Sequence, residues 1–303
     1  MLCRARYLAG YFVTFFDTLS LCPYDNACPY GNADRMTRLA HLAAVALLAL
    51  IPLNASADDW QQRPDWADVF AEQKAVNGTL VIVDKREGRA GRFVVNPRRA
   101  NERLSPASTF KVPHALFALD AGAVDDEFEV FPWDGTERDV PAWNQDQTLR
   151  SALRYSTVWV FQRLANQIGR EREQAYLGEI GYGNARVGDG VETFWLDGSL
   201  RVSAVEQVDF LERLYDMALP FTEADQRLVK DIMINEAGRD WILRAKSGWD
   251  GQVGWWMGWV ERPSGPVFFA MNLDTPERMA DLPKREAITR AVLRRLEVLP
   301  APE

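Results

Sequence analysis

Ser108 and Lys111 stand three residues apart in the run Pro106-Ala107-Ser108-Thr109-Phe110-Lys111. On a helix, residues at that spacing share a face, so the lysine amine can reach the serine hydroxyl. A hydroxyl is a weak nucleophile until a neighbouring base takes its proton. Lysine is such a base only when neutral. Moving its pKa from about 10.4 to about 7 costs roughly 4.6 kcal/mol, which demands desolvation or positive neighbours. A helix start at Pro106–Thr109 pushes the same way, because its positive end disfavours an ammonium. Pro113 falls early in that helix and has to be accommodated in its first turn.

The rest of the chain offers few other nucleophiles or bases. All three cysteines (Cys3, Cys22, Cys28) precede residue 29, and the two histidines are His41 and His114. His114 is six residues from Ser108, about 240° round a helix at roughly 100° per residue. It points away from the serine and reads as a structural histidine.

The N-terminal part reads as an address. Met36-Thr37-Arg38 is a short basic start, Leu39 to Leu53 is almost wholly apolar, and Ala55-Ser56-Ala57 is a small-x-small cleavage site. Residues 36–57 are therefore expected to be a secretory signal, with 1–35 an upstream extension and the mature protein beginning near Asp58. The apolar run is shorter than the roughly 18 residues needed to span a bilayer, so the mature form is expected to be exported, periplasmic and without a membrane segment. The net charge is −8 and no basic run interrupts it, which argues against nucleic acid as a partner.

From residue 58 onward the pattern is β-rich at both ends and helical between. Thr79–Val83 and Arg92–Val95 are β-branched runs flanking a turn at Gly88, a hairpin pattern. Leu149 to Ile168 and Ser203 to Tyr215 carry apolar residues at helical spacing. Strands are expected at 241–246, 253–260 and 267–273, and a closing helix from about Leu282 to Leu299 opened by Pro283. The fold class is α/β (α+β): a central antiparallel sheet built from both chain ends (about 58–107 and 241–303), flanked by helices. A helical subdomain (about 108–240) is inserted, with a cleft between the two parts. Trp255, Trp256 and Trp259 are expected to be core residues on a sheet strand.

Three further motifs follow Ser108–Lys111 in order: Ser156-Thr157-Val158, Tyr182-Gly183-Asn184 and Lys246-Ser247-Gly248. Together with Phe194-Trp195-Leu196, Asn144-Gln145-Asp146 and the run Gly254–Val260, this ordered set resembles the class D serine β-lactamases. These oxacillinases are relatives of the penicillin-binding transpeptidases, and the likeness extends over essentially all of 60–300. The resemblance implies a β-lactamase/transpeptidase-like fold and hydrolysis of β-lactam antibiotics through a Ser108 acyl-enzyme. It implies Lys111 carboxylated by CO2 to N6-carboxylysine as general base for acylation and deacylation. The same resemblance gives Ser156 and Lys246 a proton relay to the lactam nitrogen, and Trp195 a hydrogen bond to the carbamate. Lys246 with Ser247 would face the substrate carboxylate, Arg285 on the last helix would bind it, and Gly248 would be a further substrate-binding residue. Val158 and Leu196, with Phe110 and Trp195, would wall the pocket. The oxyanion hole would be the backbone N–H groups of Ser108 and Trp249. Small β-lactams are then the partners, no cofactor or metal is required beyond CO2 or bicarbonate, and the protein is a monomer or homodimer. The alternative is a β-lactam receptor or a transpeptidase that acylates the same serine without turnover.

Overall fold

The computed structural model describes residues 60–301. The expected signal segment 36–57 and the 1–35 extension lie outside the described residues. Nine strands occur in chain order: β1 (Gln61–Gln62), β2 (Val76–Asp84), β3 (Gly91–Val95), β4 (Val130–Phe131), β5 (Gln147–Thr148), β6 (Ile234–Ala237), β7 (Ile242–Trp249), β8 (Val253–Arg262) and β9 (Gly265–Asp274). Seven form one sheet in the order β1-β3-β2-β9-β8-β7-β6, and β4 pairs with β5 apart from it. The sheet is antiparallel except at one margin, where β1 runs parallel to β3. The central sheet is thus antiparallel as expected, with one short parallel strand added at its margin. The two-residue β1 was too short to leave a pattern.

The sheet is buried on both faces. Along β2, Leu80 and Ile82 enter one apolar cluster while Val81 and Val83 enter the other, as the period of two for strand side chains requires. The first cluster also takes Leu243, Trp256, Phe269, Ile288 and Val292; the second takes Phe110, Leu116, Trp195, Trp255 and Trp259. Trp255, Trp256 and Trp259 are thus core residues, but on both sides of the sheet.

The helices are α1 (Ala67–Glu72), α2 (Pro97–Ala100), α3 (Lys111–Asp120), α4 (Leu149–Tyr155), α5 (Val158–Ile168), α6 (Arg170–Glu179), α7 (Ala204–Tyr215), α8 (Glu223–Ile232) and α9 (Leu282–Arg295). Three boundaries depart from the sequence pattern. The 149–168 run breaks at Ser156, whose φ of 58° is left-handed, so apolar spacing concealed a sharp turn between α4 and α5. The Ser108 turn is a 3-10 segment, Ala107–Phe110, and the α-helix begins only at Lys111. Pro113 then falls in the first turn, where backbone N–H groups have no intrahelical acceptor. The last helix stops at Arg295, and Val298 and Leu299 fold back into the core, the Val298 N–H donating to the Leu293 carbonyl at 2.8 Å.

The segment 182–202 crosses over the helical side and carries Trp195. Its two ends are tied together by Tyr182-Gly183-Asn184. The Asn184 N–H donates to the Arg201 carbonyl at 2.9 Å, Asn184 Oδ1 accepts from the Arg201 N–H at 2.9 Å, and Asn184 Nδ2 donates to the Ser199 carbonyl at 2.8 Å. Gly183 has φ +57°, and a Cβ there would sit 2.1 Å from the Arg201 carbonyl oxygen. Both the left-handed backbone and the close crossing require glycine. Gly183→Ala is expected to cost about 2 kcal/mol or more, read as a lower denaturation midpoint with an unchanged m-value in urea.

Candidate active site

Ser108 and Lys111 meet at the mouth of α3. Lys111 Nζ donates to Ser108 Oγ at 2.7 Å. Ala107, just before Ser108, has φ +48°, a strained left-handed conformation for a residue with a Cβ. The turn is braced from below: Thr109 Oγ1 donates to the Pro106 carbonyl at 2.6 Å and accepts from Gln207 Nε2 at 2.8 Å. Gln207 Oε1 in turn accepts from the Tyr182 hydroxyl at 2.9 Å. The Tyr-Gly-Asn motif therefore supports the serine turn from behind and contributes no group to Ser108 itself.

Lys111 is fully buried. Burial, and second the positive charge of Lys246, hold its amine well below the ordinary lysine pKa. The Lys111 amine lies 5.4 Å from the ring centre of Phe161. Phe161 was missed by sequence reading. Its signal was its place on α5 one turn after Val158, on the face turned to the core. Trp195 stacks on Phe110 at 5.9 Å, and its buried indole N–H has no hydrogen-bond partner among the described residues. An unpartnered buried donor costs about 1–3 kcal/mol. Val158 and Leu196 are half-buried.

A second serine–lysine pair completes the site. Lys246 Nζ donates to Ser156 Oγ at 2.9 Å and to the Ser247 carbonyl at 2.8 Å. The left-handed turn at Ser156 directs that hydroxyl across from the α4–α5 junction to β7. Burial, and then the charge of Arg285, bring the Lys246 pKa down to about 7. Arg285, Lys246 and Lys111 thus form a column of like charge in a poorly solvated wall, without an ion pair to either amine among the described residues.

β7 reaches Ser108 because of its glycine. β6 pairs with β7 only as far as Arg244, leaving 246–249 with no strand partner on that side among the described residues. A Cβ on Gly248 would lie 2.8 Å from the Pro106 carbonyl oxygen and 3.0 Å from the Thr109 nitrogen. Ser247 and Trp249 flank it, both half-buried, and the Trp249 indole is fixed by a 2.9 Å bond to Thr275 Oγ1.

Arg285 lies beneath this edge. Its Nη1 donates to the Gly248 carbonyl at 2.8 Å and the Trp255 carbonyl at 3.2 Å, and its Nε to the Leu282 carbonyl at 2.7 Å. Burial lowers its pKa to about 10. It is a tethered, buried guanidinium and not a solvated helix-face residue; a Cβ on Gly254 would lie 2.8 Å from its Cδ. His114, as its position round the helix requires, does not reach the serine; it pairs with Glu173 at 2.7 Å. No group of three or more His, Cys, Asp or Glu among the described residues could hold a metal ion.

A serine touching a buried lysine at the seam of a two-faced sheet and a helical layer marks the penicillin-recognising serine enzymes. In agreement, residues 77–294 match the penicillin binding protein transpeptidase domain. Relatives narrow the class. The chain is 54% identical to β-lactamase OXA-20 of Pseudomonas aeruginosa over 84% of this chain and 95% of that one. It is 56% identical to β-lactamase OXA-2 of Salmonella typhimurium over 79% and 86%. Among solved structures it resembles the class D β-lactamase FUS-1 (OXA-85) of Fusobacterium nucleatum subsp. polymorphum, with TM-score 0.75 and 35% identity over 79% of this chain and 100% of that one. The class D enzyme YbXI from Nostoc gives TM-score 0.74 at 35% identity, covering 77% and 99%. This chain belongs to the class D β-lactamases and is a hydrolase.

A buried lysine with a pKa near 7 is a burden on the fold. Below about 7 its ammonium is present in both states and folding bears the full cost, on the order of 5 kcal/mol. Between about 7 and 10.5 the unfolded chain holds the extra proton, so this contribution makes stability climb with pH. Lys246→Met is expected to abolish turnover yet raise stability at pH 7 by at least about 1 kcal/mol, roughly 3 °C in Tm, measured by calorimetry. A variant less stable than the parent would contradict the charge-column account.

Proposed function

We infer that this protein hydrolyses β-lactam antibiotics through an acyl-enzyme on Ser108, and so confers resistance to them. The observation that carries this is the 2.7 Å contact between Ser108 Oγ and a buried Lys111 amine held toward its neutral form.

The lysine pocket fits a CO2 adduct. Its amine is dry and inclined to be unprotonated, and the Trp195 indole N–H is a buried donor without an acceptor among the described residues. Carboxylated, Lys111 supplies an anionic general base beside the serine, with Trp195 holding its oxygen. Ser108 Oγ then loses its proton and bonds to the lactam carbonyl carbon. The backbone N–H groups of Ser108 and Trp249 stabilise the charge that gathers on the carbonyl oxygen; each such donor is worth about 3 kcal/mol. As the C–N bond breaks, the Ser156 hydroxyl delivers a proton to the leaving nitrogen and is resupplied by Lys246, whose pKa of about 7 suits transfer in both directions. Water activated in the same pocket attacks the acyl carbon, the ester bond to Ser108 breaks, and the proton returns to the serine oxygen. Ser247, Gly248 and the edge of β7 would seat the substrate, with Arg285 facing its carboxylate through the Nη2 it does not spend on carbonyls. Val158 and Leu196, half-buried at the rim, would control how much water enters.

The proposed working form is the body 58–303, exported to the periplasm after removal of 36–57, with small β-lactams as its partners. The Ala55-Ser56-Ala57 site supports that reading.

Continuous turnover of a chromogenic cephalosporin, abolished in Ser108→Ala, is the expected result. A burst of one equivalent with no further turnover would sink the hydrolase reading in favour of a receptor. Activity lost at acid pH is expected to return on adding bicarbonate, since protonation of the Lys111 amine competes with CO2. Arg285→Ala is expected to raise KM for penicillins about tenfold with kcat little changed; an unchanged KM would remove Arg285 from substrate binding.

A further inference from the structure

His114 and Glu173 are titratable and completely buried, and the mechanism above uses neither. His114 Nε2 and Glu173 Oε1 are 2.7 Å apart, while His114 Nδ1 and Glu173 Oε2 have no partner among the described residues. A half-satisfied buried pair is a poor way to stabilise a core, since apolar residues of the same volume would do as well or better. Its place in the fold offers another reason for it. His114 sits one helical turn past Lys111, and its ring touches Phe110 (5.1 Å, stacked), Trp195 (5.3 Å) and Phe161 (5.6 Å). Of those rings, Phe161 lies 5.4 Å from the Lys111 amine, and Phe110 directly precedes Lys111 and stacks on Trp195. Glu173 is on α6, and that helix holds the segment carrying Trp195: Gln174 Nε2 donates to the Ala185 carbonyl and its Oε1 accepts from the Val187 N–H, while Arg170 donates to the Gly188 and Asp189 carbonyls.

We propose that His114 and Glu173 are positioning residues for carboxylation of Lys111, fixing the Phe110, Trp195 and Phe161 rings around the amine. The proposal rests on the carbamate reading. In carboxylation the neutral amine nitrogen bonds to the CO2 carbon, a carbonyl electron pair moves onto oxygen, and one N–H proton departs to solvent. Water admitted by a loosened wall protonates the amine instead and withdraws the lone pair that CO2 needs. Trp195 can offer its N–H to the new carboxylate only while its ring is held, and His114 is one of the rings that hold it. Loss of the pair therefore weakens CO2 binding and leaves later steps intact.

The test is a titration of CO2-stripped enzyme with 13C-bicarbonate, following both the carbamate carbon by NMR and initial rate. Glu173→Ala is expected to need about tenfold more bicarbonate for half-carboxylation, with kcat at saturating bicarbonate within about twofold of the parent. Glu173→Gln, which keeps a hydrogen bond to His114, stays within about threefold. His114→Asn, which removes the ring from Phe110 and Trp195, behaves like Glu173→Ala and carries the test if that variant does not fold. Unchanged half-carboxylation alongside a lowered Tm, or failure of both variants to fold, makes the pair purely structural and overturns the proposal. So does a kcat loss that saturating bicarbonate does not restore. Absence of a carbamate signal in the parent enzyme overturns the carbamate reading itself; a parent signal with unchanged variants overturns only the role of the pair.

Discussion

The exclusion of water from the Lys111 amine is the constraint on which the rest of this structure depends. An exposed lysine would be an ammonium, unable to take a proton from Ser108. Here the amine is fully buried, lies 5.4 Å from the Phe161 ring, touches the serine oxygen, and faces a second cation in Lys246. Desolvation and like charge act in the same direction. The helical layer supplies the aromatic wall and the sheet supplies the opposing charge, so neither alone makes the site. Segment 182–202, which brings Trp195, is accordingly pinned at both ends by hydrogen bonds to its own backbone and to α6.

Local strain collects at the same place. Ala107 and Ser156 are both left-handed, and Gly248 brings a strand backbone against the serine turn closer than a Cβ allows. Each conformation costs on the order of 1–3 kcal/mol for a residue with a side chain. Each also has a geometric result. The first sets the Ser108 turn at the entry to α3, the second swings a hydroxyl across to Lys246, and the third brings the edge of β7 beside the Ser108 turn. The aromatic core on both faces of the sheet, with Trp66, Trp195, Trp255 and Trp259 almost fully buried, is what over-determines these positions.

Much of this was legible in the sequence because the chemistry is written in short, ordered motifs. Ser108 with Lys111, and Ser156 with Lys246, form the two hydrogen-bonded pairs that the motifs suggest, and the β-branched runs at 79–83 and 92–95 became the β2–β3 hairpin. What stayed hidden was information that is not periodic. Apolar spacing ran through Ser156 as though the helix continued, because backbone handedness leaves no hydrophobic trace. Phe161 and Glu173 looked like ordinary members of amphipathic helices; only the packing of α3 against α5 and α6 brings Phe161 to the Lys111 amine and Glu173 to His114. Tyr182-Gly183-Asn184 was recognisable as a motif, yet its work is to tie a loop and brace Thr109 through Gln207. Arg285 reads as one of several arginines on a helix, and its burial under β7 follows from Gly254, a residue 31 positions earlier.

The sheet joins the first strands to the last ones: Asn77 on β2 bonds to Asp274 on β9, 197 residues further along the chain. Pairing at that separation forms late, after the cost of closing a long loop has been met. Lys246, Ser247 and Arg285 all lie in the part that arrives last. During synthesis, therefore, the emerging chain carries the Ser108–Lys111 sequence before the opposing charge of Lys246 and the edge of β7 are in place. Its serine is then an ordinary alcohol. The order of the chain itself keeps the reactive centre silent until the final strand and helix close over it.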